Sequence, residues 1–100
     1  VCEVNMAERP LFVMTEQIDN HRTCVNHLFF PAGSETRWHR HERDYVIVPL
    51  QDCTLLIDTG EGPEPVSLKA GECYYRDAGV EHNVINDSRA DLVLIEVELK

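Results

Sequence analysis

This chain is short of basic residues: 9 lysines and arginines stand against 18 acids among 100 residues, for a formal net charge of -9. The nine are scattered, and affinity for nucleic acid rests on clustered Lys and Arg, so a phosphate-backbone partner is excluded. Long apolar runs are missing too. None approaches the roughly 20 residues of a membrane helix, so no membrane partner is expected. The opening Val-Cys-Glu-Val-Asn lacks the charged and apolar regions of a secretory signal, which makes a cytoplasmic location the expectation. Cys2, Cys24, Cys53 and Cys73 lie far apart with no Cys-x-x-Cys pair, and disulfides would need a secreted context. Cys24, Cys53 and Cys73 fall in apolar stretches and read as small buried hydrophobes. No Ser-His-Asp arrangement, nucleophile elbow or phosphate-cradling Gly-rich loop is visible, so covalent acyl transfer and nucleotide chemistry have no support.

What is there is a small, strand-rich domain. An apolar share of 43% allows an ordinary core, and the length leaves no room for a second domain. No window sustains an amphipathic helical period. The pattern instead predicts strands over 24–30, 37–41, 45–50, 53–58, 66–68, 72–76, 82–86 and 92–99, separated by stretches rich in Gly, Pro and Asn. Many short strands at regular spacing imply an all-β sandwich or barrel. Residues 1–21 read as an N-terminal arm or strand, whose apolar residues 11–14 would pack on the domain or on a second subunit, and 22–100 as the domain itself. In the last strand Val93, Ile95, Val97 and Leu99 form one apolar face, while Leu92 and Leu94 share the other with Glu96 and Glu98. The acidic face is expected outside, with no chemistry assigned to it.

The candidate chemistry lies in residues 33–45, Gly-Ser-Glu-Thr-Arg-Trp-His-Arg-His-Glu-Arg-Asp-Tyr. Side chains two apart on a strand project to one face, so His39 and His41 can converge on one point. His82 lies far along the chain, where a turn leads into an apolar run. Tyr45 and Arg37 share the parity of the histidine pair, so Tyr45 is expected to line the pocket and Arg37 either to anchor a substrate carboxylate or to sit exposed at a barrel rim. Asp44 and Glu42 have the opposite parity. His21 and His27 are expected on the surface, and Trp38 to pack between sheets or subunits.

The frame around these residues resembles the two sequence motifs of the cupin family. Gly33, five residues, His39, one residue and His41 match the first; Gly71, five residues, Asp77-Ala78-Gly79, two residues, His82, three residues and Asn86 match the second. The resemblance covers roughly Phe29 to the end of the chain, and its wording is similar to that of short single-domain bacterial cupins, including those named for β-alanine degradation. It departs at Tyr45, where the family usually has a ligating glutamate, at Asp52 in place of a glycine, and at Asp77 in place of a proline. The resemblance implies a jelly-roll β-barrel or sandwich, a homodimer, and a divalent metal on His39, His41 and His82 with open positions. Iron leads, with zinc, nickel or manganese as alternatives. The implied function is metal-dependent chemistry on a small organic acid or related metabolite, dioxygenation first. A non-catalytic small-molecule binder and a metal-dependent isomerase or decarboxylase are the alternatives.

Overall fold

The alternation of side chains along each strand decides which residues meet in the middle. In the computed structural model, which describes residues 8–100, the strands are β1 (Val13–Asp19), β2 (Thr23–Phe30), β3 (His39–Arg40), β4 (Asp44–Pro49), β5 (Cys53–Asp58), β6 (Pro63–Leu68), β7 (Tyr74–Arg76), β8 (Glu81–Ile85) and β9 (Leu92–Leu99). The Cys2 thiol and the first seven residues of the expected arm lie outside the described residues. All the strand pairings are antiparallel. They make a five-stranded sheet in the order β1-β2-β9-β4-β7 and a four-stranded sheet in the order β3-β8-β5-β6. This is the expected all-β jelly roll in a single domain.

Two strands keep the bounds that the pattern predicts, and the departures have local causes. The expected strand over 37–41 shrinks to His39–Arg40 because Arg37 takes a φ of 73°, which no extended strand accommodates. Strand β6 starts earlier than expected, at Pro63, and carries Pro65 as well. Both prolines are tolerated because β6 is the edge of its sheet, where a missing N–H breaks no ladder. The turn before it is tied by Asp58, whose Oδ1 accepts from the N–H groups of Gly60 and Gly62 at 2.8 and 3.2 Å.

Between the sheets lies a core of Leu28, Phe30, Tyr45, Ile47, Leu55, Leu68, Val84, Leu92 and Leu94. Phe12, just ahead of β1, closes one side by packing on Phe30 with ring centroids 5.1 Å apart. At the far end Asn86 is wholly buried, and its Nδ2 donates to the carbonyls of Phe30, Pro31 and Ala90 at 3.1, 3.2 and 2.9 Å. One side chain therefore joins the end of β2, the end of β8 and the approach to β9.

Strand β9 faces the opposite way from the expectation. Leu92, Leu94 and Glu96 are buried, whereas Val93, Ile95 and Val97 are half-buried on the outside. The register explains it: Leu92 pairs with Phe30, Leu94 with Leu28 and Pro49, and Glu96 with Asn26 and Ile47. All five of those neighbours are inward residues, so the central strand of this sheet must follow them. The outer face is the more apolar one. Cys73 is also corrected, being exposed, while Cys24 is buried and Cys53 is half-buried.

Candidate metal centre

Three elements bring the histidines together. His39 in β3 pairs directly with His82 in β8, and His41 follows two residues after His39, held where its N–H donates to the carbonyl of Val80 and its carbonyl accepts from the N–H of Gly79, both at 2.8 Å. The Nε2 atoms of His39 and His41 stand 3.0 Å apart and those of His41 and His82 3.1 Å apart. Two nitrogens bonded to one ion at about 2.1 Å and at right angles would be roughly 3.0 Å apart. The spacing fits cis ligands of a divalent metal.

The state of each ring supports the same reading. Nδ1 of His39 lies 2.9 Å from the carbonyl oxygen of Arg37. A carbonyl can only accept, so Nδ1 carries the proton and Nε2 of the neutral ring presents a bare lone pair. Burial, with the other histidines adding to it, lowers the pKa of His41 and of His82 to about 4. At neutral pH both rings are uncharged. With Nε2 left bare on His41 and His82 as well, three lone pairs would converge on one point and a cation there would relieve their repulsion; imidazole donors of this kind suit iron, zinc or nickel.

Tyr45 and Arg37 take different places from each other. Tyr45 is buried, and its ring stacks on His41 at 3.9 Å between centroids and 18° between planes. Burial first, then Tyr74, pushes its phenol up to about 12, so the phenolate is disfavoured. Arg37 is exposed and its side chain does not line the cavity; what it contributes is its carbonyl, turned toward His39 by the left-handed backbone. Asp44 serves the turn, with Oδ1 accepting from the N–H of Ala78 at 2.8 Å. Trp38 is 52% exposed.

The histidines open into a cavity of about 480 Å³, walled mainly by apolar side chains such as Phe12, Met14, Leu28, Ile47 and Leu94. Glu96 also lines it, and sequence reasoning placed this residue outside. It is 7% exposed, with Oε1 accepting from Asn26 Nδ2 at 3.1 Å and Oε2 lying 3.9 Å from Nδ1 of His41. Burial pushes its carboxyl above the usual range, and the Asn26 hydrogen bond partly offsets that. The signal for it in the sequence is that it shares its face of β9 with Leu92 and Leu94, although the opposite face is the more apolar one.

A two-sheet antiparallel jelly roll carrying a histidine cluster between its sheets defines a known class of small β-barrel proteins. The chain belongs to the cupin family: the cupin domain family matches residues 26–98. The chain is 50% identical over 95 residues to the β-alanine degradation protein BauB of Pseudomonas aeruginosa, covering 95% of this chain and 100% of that one. A crystal structure of a cupin domain from Bordetella pertussis is similar with a TM-score of 0.90 and 48% identity, covering 93% of this chain and 97% of that chain. A double-stranded β-helix cupin of Methanocaldococcus jannaschii shares the fold at a TM-score of 0.74 and 16% identity, over 93% of this chain and 84% of that chain.

Proposed function

We propose that this protein is a metal-dependent cupin that acts on a small organic acid or related metabolite, with dioxygenation as the leading reaction. The observation that carries the reading is the meeting of three imidazole Nε2 atoms, at 3.0 and 3.1 Å for the two neighbouring pairs, at the wall of an apolar cavity. His39, His41 and His82 would hold the ion, for which iron is the first choice. When bound, it would supply a Lewis acid with positions open to a bidentate acid and to O2. The protein's own part is to orient and exclude. Tyr45 keeps the plane of His41, the Arg37 carbonyl keeps the tautomer of His39, and the buried Leu28, Phe30 and Ile47 give the cavity a dry apolar wall. The name of the Pseudomonas relative supports a setting in β-alanine degradation.

A homodimer belongs to the same proposal. On the outer face of the five-stranded sheet, Ile18, Val25, Val97, Val46 and Tyr75 form one row across neighbouring strands, and Val13, Phe29 and Val93 form another. An apolar face of this extent on a small acidic protein supports covering by a second copy.

The test is elemental analysis of freshly purified, untagged protein handled without oxygen, beside a His82→Ala variant. About one iron per chain in the wild type and little in the variant is expected, and an O2-uptake screen with small acids then reads the reaction. Full metal in the variant would reject the ligand set. Ligand-dependent stabilisation without turnover would make the protein a binder.

A further inference from the structure

We propose that the cavity takes a short aliphatic ligand with an anionic end for the histidine site and an amine at its other end, and that Glu96 receives the amine. The anionic end rests on the metal reading above; the amine end rests on a separate set of observations.

Glu96 sits at the middle of β9, only 7% exposed, with one carboxylate oxygen satisfied by Asn26 at 3.1 Å. Its other oxygen lies 3.9 Å from His41 Nδ1, which is too far for a hydrogen bond, and it has no donor among the described residues. That oxygen still touches open space, because the one fully enclosed side-chain oxygen or nitrogen left without a partner among the described residues is Ser34 Oγ. The space it touches is the cavity that it lines. A buried carboxylate short of a donor is costly, and a ligand that brings one removes the cost.

The charges nearby narrow the class. The two arginines lining the cavity are already engaged, Arg40 with Glu42 at 3.3 Å and with Glu81 at 3.5 Å, and Arg43 with Glu98 at 3.4 Å. No free cation among the described lining residues awaits a second anionic group, whereas Glu96 presents an acceptor. The Nδ1 and Nε2 edges of one imidazole, His41, separate the carboxylate from the point where the Nε2 atoms meet. A chain placing the amine about three or four bonds from the carboxylate spans that gap, given bonds of about 1.5 Å. Apolar Leu28, Ile47 and Leu94 suit its methylene middle. The class is therefore a short amino acid with its amine at the end of the chain.

Calorimetry on the metal-loaded full chain tests this with two matched pairs, β-alanine against propionate and γ-aminobutyrate against butyrate, after metal content is measured on the same samples. The wild type is expected to bind the better amine at least about tenfold tighter than its partner acid, as a charge-assisted hydrogen bond would give. Glu96→Gln is expected to cut that preference to about threefold or less with metal content unchanged. Equal binding of amine and plain acid by the wild type, or no binding of any of the four, would overturn the amine assignment without needing a variant, and the metal content would still stand or fall by itself. A Glu96→Gln protein that keeps the preference would overturn it too. One that loses its metal would show that Glu96 holds His41 instead of the ligand.

Discussion

Arg37 has the exposure of an ordinary surface residue, yet its backbone is the unusual one. A φ of 73° at a non-glycine costs on the order of 1 kcal/mol, and the return is a carbonyl 2.9 Å from His39 Nδ1. Arg37→Gly should therefore keep its metal and gain up to about 1 kcal/mol of stability in urea denaturation, while Arg37→Pro, locked near -65°, should lose metal and stability together. Equal metal loss in both variants would mean that the side chain, and not the carbonyl, is what matters. The histidines make a second prediction at this scale. In the unfolded chain their pKa lies near 6.5, and in the folded chain that of His41 and His82 is lowered to about 4. As pH falls below about 6.5 the unfolded chain takes up protons that the folded site refuses, so stability is lost progressively down to about pH 4. Metal-free protein should show this decline in its thermal midpoint, and His82→Ala should flatten it.

Among the elements, β8 shows how one strand serves site and scaffold at once. His82 and Val84 are buried on its inward face, and the strand then delivers Asn86 to the junction of β2 and β9. Asn86→Ala would take one donor from each of three carbonyls, of which Pro31 still accepts from the Ser34 N–H and Ala90 from the Ser88 hydroxyl, and would free the Ser88 N–H that its Oδ1 accepts at 3.1 Å. A loss on the order of 3 kcal/mol is expected in denaturant titration, with secondary structure retained. A loss below about 0.5 kcal/mol would mean that water replaces the amide without cost. Much of this scale was legible from the residues: the period-2 alternation and the Gly, Pro and Asn punctuation located the strands to within a few positions. The short β3 and the early start of β6 were not, because each depends on a neighbour, the bend at Arg37 in one case and an unpaired sheet edge in the other.

For the whole molecule, the outer face of the large sheet matters most. Its apolar rows predict a dimer in light scattering, and Val97→Glu, at the middle of the patch, should yield a monomer of unchanged circular dichroism and metal content. A wild-type monomer at micromolar concentration would remove the need for a cover. This face also explains why β9 reads inverted. A single chain is expected to bury its most apolar face, and here the face with Val93, Ile95 and Val97 is outside.

The residues by themselves determined the all-β class and the turn positions, since each follows from alternation and turn chemistry that a local stretch carries whole; the histidine trio was implied by the resemblance to the cupin motifs, and it is the pairing of β3 with β8 that brings His82 to the other two. The tertiary structure decided which way β9 faces, that Tyr45 stacks on His41, that Arg37 acts through its carbonyl and that Glu96 enters the cavity. Those depend on register between residues as far apart in the chain as Thr23 and Leu99, or Asn26 and Glu96, and such pairing is settled only when the two sheets close on each other.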